Sequence, residues 1–138
     1  MFIGLMSITH SAIATAGTSL ILGTADPLIL GLSVIGSQLP DIDTTTSTVG
    51  KICYPISSWI EDRFPHRSVT HSLLATVGIA VVSLAVNYFF LHGSLKAAIA
   101  LPLGHLLACF SDIFTKQGVQ LFIPNPFGQY QYPIQDVD

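Results

Sequence analysis

The chain has 138 residues, of which half are hydrophobic and only 9% are charged, and its formal net charge is −3 with neutral histidines. Soluble domains carry about 25% charged residues, so this composition is typical of a membrane protein, and the length suits a single domain over residues 1–138. The sequence has no basic run of the kind that binding to a phosphate backbone requires, so direct nucleic-acid binding is not expected.

A helical hairpin is predicted for the first forty residues. The run 7–22 is apolar or small, and GTADP then interrupts it. Asp26 followed by Pro27 is typical of a helix start, because aspartate caps the first turn and proline at its first position has no hydrogen bond to lose. We expect a turn at 23–26 and a second helix that ends before Pro40. The N-terminus lacks the positive charge of a secretory signal, so this apolar segment is expected to remain in the mature protein.

Two further helices are predicted after a polar connection. Residues 41–67 include DIDTTTST and EDRFPHR and are expected to form a loop with a short interfacial helix around Trp59. The stretch 68–91 contains no Asp, Glu, Lys or Arg and is long enough to cross a bilayer. A fourth helix is expected over 95–115, followed by an irregular tail at 119–138. The predicted fold class is all-α: a membrane-embedded antiparallel bundle of about four helices in two hairpins, with a polar loop carrying site residues.

Polar residues converge at one end of such a bundle. Short connections favour antiparallel neighbours, so the starts of the first and third helices lie beside the ends of the second and fourth. On the fourth helix, His105 and Asp112 are seven positions apart and return to nearly the same face. The residues that occupy these four places are His10, Asp41, Asp43, His66, His71, His105 and Asp112.

The residue types at this end predict a divalent metal site. Imidazoles and carboxylates bind zinc, and also manganese or iron, while several carboxylates favour more than one ion. A carboxylate buried among apolar helices is costly without a partner, and a bound cation supplies one. Taken singly, His10 suits a hydrogen-bonded core residue, DID a solvated turn, and His105 with Asp112 an interhelical hydrogen bond. The convergence favours the metal site over these separate explanations.

Four segments, taken together, resemble a family. These are THS near the N-terminus, GSQLPDID, HRSVTHSLL, and GHLLACFSDIFTKQGVQLFIP. In this order they resemble the YdjM-type family of LexA-binding, inner-membrane-associated, metal-dependent hydrolases, over residues 9 to about 124. The resemblance implies that the seven residues named above fall on the family's metal and catalytic positions, and that Arg67 matches its arginine beside the first histidine. Ser68 departs from the family, which often has glycine there, and many relatives continue into further membrane helices beyond Pro124.

The expected function is hydrolysis by metal-activated water, with a phospholipid or another lipid-linked phosphoester as the amphiphilic substrate. A metal site at the membrane boundary suits a substrate whose headgroup reaches the ions while its tail stays in the lipid. Arg67 can clamp a phosphate through its fork of donors, and His66 and Asp43 are the other predicted catalytic residues, with Asp43 as general base.

Two other functions remain open, and the charge distribution predicts an orientation. One alternative is a non-enzymatic, metal-stabilised membrane anchor that binds a regulator such as the LexA-type repressor implied by the resemblance. The other is a small metal carrier, which the clustering of ligands at one end disfavours. More lysines and arginines lie at the ligand end than at the other, so the positive-inside tendency predicts a multi-pass inner-membrane protein whose site faces the cytoplasm.

Overall fold

The structure is a computed structural model that describes residues 2–64 and 68–114, and within these ranges every regular element is helical. The all-α fold class is therefore confirmed, whereas the antiparallel four-helix bundle inside a membrane stays a prediction. The predicted tail at 119–138 lies outside the described residues. The elements are α1 Phe2–Leu22, α2 Pro27–Gln38, a 3-10 turn Pro40–Asp43, α3 Thr48–Ile52, α4 Tyr54–Glu61, α5 Leu73–Val86 with a π-helical turn Asn87–Leu91, and α6 Leu95–Asp112.

Side-chain caps set the starts of α2 and α5. Asp26 accepts a hydrogen bond from the backbone N–H of Leu28 at 2.8 Å, as predicted for the start of α2. Ser72 accepts from the N–H of Ala75 at 3.2 Å, so α5 begins at Leu73 rather than at residue 68. As a result, His71 lies in the turn before this cap, outside the helix.

The polar connection is more ordered than the sequence predicts. It contains the expected short helix around Trp59, which is α4, and also α3 and the 3-10 turn. Ser47 stabilises this region, since its hydroxyl donates to the Asp41 carbonyl oxygen at 2.6 Å and accepts from the Gly50 N–H at 2.9 Å. These bonds hold the 3-10 turn against α3 and fix the backbone that carries both aspartates.

Three long helices pack on one another through small residues. α1, α2 and α6 contact each other mutually, and α5 packs on α6. At the closest approach, a Cβ on Gly36 would meet the Leu101 carbonyl, and a Cβ on Gly104 would meet the Ser33 carbonyl. Such small-residue contacts are how helices approach closely where no hydrophobic effect drives them together.

The interior holds small and polar side chains, while the large apolar side chains face outward. The buried apolar residues among those described are Ile29, Cys109 and four alanines. By contrast, Leu20 is 84% exposed, Phe90 is 78% exposed and α5 has no buried residue. Within the described ranges, two segments, Leu73–Leu91 and Leu95–Asp112, are long and apolar enough to cross a membrane. An outward apolar surface of this extent is typical of a membrane protein.

Candidate functional site

Five ionisable side chains from four parts of the chain meet at one end of the helices. His10 comes from α1, Asp41 and Asp43 from the 3-10 turn, His71 from the turn before α5, and Asp112 from the last position of α6. Four of them are 3% exposed or less, and the Asp41 side chain is 16% exposed. The structure therefore brings together five of the seven residues that the sequence predicts for the site.

These side chains form a continuous row in which Asp112 occupies the centre. Its Oδ1 lies 3.1 Å from His10 Nε2, and its Oδ2 lies 3.1 Å from His71 Nε2. The far nitrogen of each ring faces another carboxylate: His10 Nδ1 is 3.8 Å from Asp41 Oδ2, and His71 Nδ1 is 3.6 Å from Asp43 Oδ2. Carboxylates and imidazoles thus alternate along the row.

His10 presents a buried nitrogen that faces a hydrogen-bond acceptor. Its Nε2 contacts the Asp112 carboxylate, which accepts a hydrogen bond, and a neutral ring that donates from Nε2 has its lone pair on Nδ1. Among the described residues this Nδ1 has no hydrogen-bond partner, and the carboxylate of Asp41 is 3.8 Å away. A lone pair on Nδ1 would be repelled by the Asp41 carboxylate in this buried site, and either a proton on Nδ1 or a bound cation between the two groups removes the repulsion.

Burial and neighbouring charges shift the pKa values of the loop residues in the row. Burial raises the pKa of the Asp41 carboxyl above its usual value, although His10 and His71 act in the opposite direction. For His71, burial disfavours the protonated ring, but hydrogen bonds to Asp112 and Asp43 outweigh it and raise its pKa to about 9. Without a metal, protonated His71 partly offsets the charge of the three carboxylates, and a metal bound to its ring would release this proton.

His105 lies next to the row but binds elsewhere. Its Nε2 donates to the Thr70 carbonyl oxygen at 2.8 Å, and its Nδ1 lies 2.9 Å from the hydroxyl of Thr76. Both ring nitrogens therefore connect α6 to α5 and to the turn that carries His71, whose Nδ1 is 3.2 Å from the Thr70 hydroxyl. Cys109, one turn further along α6, places its Sγ 3.7 Å from His105 Nδ1.

The site also depends on Thr70 and Thr76, to which the sequence interpretation gave no positioning role. A hydroxyl in an otherwise apolar helix, as at Thr76, often hydrogen-bonds across to a neighbouring helix. Thr76 lies one turn beyond Ser72 on a segment long enough to cross a membrane. A hydroxyl at that position could have been used to predict a hydrogen bond from α5 to the histidine of α6.

Two predicted site residues, His66 and Arg67, lie outside the described residues. Within the ranges 2–64 and 68–114, no three His, Cys, Asp or Glu side chains surround a common point in the manner of a preformed metal site. The donors instead meet in pairs at 3.1–3.8 Å. Two ligand atoms on one zinc ion lie about 3.4 Å apart, so the unpartnered His10 Nδ1 and Asp41 Oδ2, at 3.8 Å, are spaced for a divalent ion, whereas His10 Nε2 and Asp112 Oδ1, at 3.1 Å, form a hydrogen bond.

Comparison with other proteins identifies relatives over most of the chain. The YdjM inner membrane protein family matches residues 5–135. The chain is 32% identical over 99 residues to the Inner membrane protein YdjM of Escherichia coli (strain K12), and equally to that of Shigella flexneri. Each match covers 70% of this chain and 49% of the relative, so the chain spans about half the length of the curated relatives it matches.

No solved structure matches the chain. The family match nevertheless extends from α1 through α6 and includes every residue of the row. The apolar outer surface and the two membrane-length segments agree with the name of the relatives. The chain belongs to the YdjM inner membrane protein family.

Proposed function

We propose that the chain is a membrane-embedded, metal-dependent hydrolase that cleaves a lipid-linked phosphoester at the membrane boundary. The observation that carries the proposal is the buried row of alternating carboxylates and imidazoles, with His10 Nδ1 facing the Asp41 carboxylate at 3.8 Å. Buried ionisable groups at the ends of membrane helices are costly and for that reason mark functional sites. A divalent cation bound between such groups removes the repulsion between them.

The residues proposed to hold metal are His10, Asp41, Asp43, His71 and Asp112. His66 is a further proposed ligand from the sequence. A carboxylate that presents one oxygen to each of two histidines, as Asp112 does, also suits a site with more than one ion. A divalent metal, with zinc as the first candidate, would supply an activated water and polarise a phosphoryl oxygen.

The protein groups have separate proposed tasks in the reaction. Asp43 takes the proton of the attacking water, with His71 at 3.6 Å to orient its carboxylate. The new bond forms between the water oxygen and phosphorus, the bond from phosphorus to the leaving alcohol breaks, and the leaving oxygen takes up the proton. Arg67 holds the phosphate through paired hydrogen bonds, which a lysine cannot reproduce.

The proposal is tested by metal analysis and phosphoester hydrolysis on the same preparations. We expect the purified protein to retain zinc, manganese or iron, and to hydrolyse a member of a panel of phospholipids and isoprenoid phosphates in a chelator-sensitive manner. His10→Ala and Asp112→Asn should lower metal content and reduce turnover by about 100-fold or more, because activating groups contribute factors of this size.

His92→Asn is the matched control for these variants. His92 is exposed at the opposite end of the helices, and its φ of 47° is one that asparagine tolerates. The control should keep both metal and activity. A metal-loaded wild type that cleaves no substrate in the panel, together with site variants that still support the cell's function, would replace the hydrolase with a non-enzymatic membrane anchor that binds a regulator.

A further inference from the structure

An open apolar groove of about 570 Å³ runs between α2, α5 and α6. It exists because α2 and α5 both pack on α6 but make little contact with each other. Small residues on α5 and α6, such as Ala75, Gly78 and Ala98, give the groove its depth. Its larger lining residues include Leu32, Ile79, Val82 and Leu101.

One end of the groove lies beside the row of ionisable residues. Leu39 lines the groove and directly precedes the 3-10 turn with its two aspartates, while Ala75 lies one helical turn after His71. The other end reaches Leu91, at the far end of α5. From Ala75 to Leu91 the helix rises about 24 Å at 1.5 Å per residue. One leaflet of the hydrocarbon core is ~15 Å deep, so the groove is long enough to hold a lipid chain that extends through a leaflet.

The lining leaves an occupant little to hydrogen-bond with. The Ser83 hydroxyl donates to the Ala98 carbonyl oxygen at 2.7 Å, and the Asn87 amide exchanges hydrogen bonds with the backbone of Gly93. None of the lining residues carries a charge. The surface therefore complements a hydrocarbon rather than a peptide or a polar ligand.

The dimensions of the groove suit a narrow occupant. Its volume of about 570 Å³ lies within the 300–1,000 Å³ typical of small-molecule sites. Spread over a length of about 24 Å along α5, this volume has the cross-section of a single extended hydrocarbon chain.

We infer that this groove holds one hydrocarbon chain of a lipid whose anionic phosphate headgroup lies at the row of ionisable residues. The identity of the headgroup rests on the proposed function, whereas the position of the chain rests on the groove. Binding a long chain along α5 would hold the phosphate of the lipid at the end where His10, Asp41 and Asp112 meet. The groove thus selects lipids by the length and thickness of one chain.

Two glycines allow a matched test. Gly78 lines the groove and Gly31 lies on the outer face of α2, and a Cβ placed on either meets no atom within 4 Å. Gly78→Leu therefore fills the groove without a backbone clash, and Gly31→Leu adds the same side chain outside it. Val82→Trp, at another lining position that is 63% exposed, is a second groove-filling variant.

The probe is phosphatidic acid with a photoactivatable diazirine midway along one acyl chain, mixed into phosphatidylcholine vesicles that contain the protein. After irradiation and digestion, we expect labelled peptides to come mainly from α5 and α6 around the groove. Gly78→Leu and Val82→Trp should each reduce this labelling by at least about fivefold, because added methylenes exclude the chain, while Gly31→Leu leaves it unchanged. All proteins are compared at equal recovery of folded material.

Labelling is measured with the non-cleavable phosphonate analogue of this lipid, so the metal stays in place and the labelling does not depend on turnover. If groove labelling is specific and no phosphoester is cleaved, the groove inference stands and the proposed hydrolase fails. Equal labelling of the outer faces of α1 and α2, or labelling that Gly78→Leu does not change, would overturn the inference. Conversion of a dimer to a monomer by Gly78→Leu would also overturn it and assign the groove to a second copy of the chain.

Discussion

His10 and His105 are both buried, one in the row and one beside it, yet their nitrogens have different environments. His10 has one nitrogen on the Asp112 carboxylate and another that faces Asp41 without a hydrogen bond. His105 uses both nitrogens, one on the Thr70 carbonyl and one on the Thr76 hydroxyl. Because His105 donates from Nε2 to a backbone carbonyl and its Nδ1 lone pair faces a hydroxyl, we expect it to position the turn that carries His71 rather than to bind metal.

This difference predicts distinct effects of the two alanine variants. His105→Ala should retain metal at the wild-type stoichiometry but lower the free energy of unfolding by about 2–4 kcal/mol, since it leaves a cavity and an unpaired Thr70 carbonyl. His10→Ala should lose metal. The measurements are elemental analysis and thermal unfolding of each variant in the same detergent. Loss of metal from a folded His105→Ala protein would restore His105 to the ligand set that the sequence predicts.

At the scale of the helices, α2 and α6 make the closest helix–helix approach that requires glycine in the described part of the chain. Gly36 and Gly104 each face a backbone carbonyl of the opposite helix. The same two helices contribute Gln38, which bonds to Ser7 and Ser11 of α1, and Asp112 of the row. Separation of α2 from α6 would therefore also move the 3-10 turn relative to Asp112.

A pair of Gly→Ala variants on α2 measures this contact. Gly36→Ala should lower the free energy of unfolding by at least about 2 kcal/mol, because the new methyl meets the Leu101 carbonyl and forces the helices apart. Gly31→Ala, in open space on the same helix, should be neutral or add up to about 1 kcal/mol through helix propensity. Equal stability of the two variants in denaturant titrations would contradict the close approach.

The sequence predicted the long helices and the short helix α4, but not α3, the 3-10 turn or the rotation of each helix about its axis. The apolar runs and the Asp26 cap were enough to predict the long helices. The short connections between them were enough to predict that four residues lie together, namely His10, Asp43, His71 and Asp112. The direction in which His105 points could not be predicted. It depends on the rotation of α6, which the Gly104 contact sets, and on the start of α5, which the Ser72 cap delays. Both are tertiary effects that local periodicity does not contain.

At the scale of the whole molecule, surface apolarity and charge together predict how the protein lies in the membrane. Exposed apolar side chains cover α5, and Trp59 and Ile56 are more than half exposed on α4, where an interfacial helix would present them to lipid. The exposed cations of the described chain lie at both ends: Lys51 and Arg63 near the row, and Lys96 at the start of α6. Lys and Arg in short loops favour the cytoplasmic side, so the row is predicted to face the cytoplasm.

This orientation is testable with the two cysteines, which are both free. Cys53 is partly exposed between α3 and α4, at the same end of the helices as the row. Cys109 is buried. In a Cys109→Ala background, an impermeant thiol reagent added to intact cells should leave Cys53 unlabelled, and labelling should appear after permeabilisation. Lys96→Cys, placed at the opposite end in a chain without the native cysteines, should be labelled in intact cells.

Ready labelling of Cys53 from outside, with protection of the residue 96 thiol, would reverse the topology. The phosphoester would then be cleaved on the outer face of the membrane.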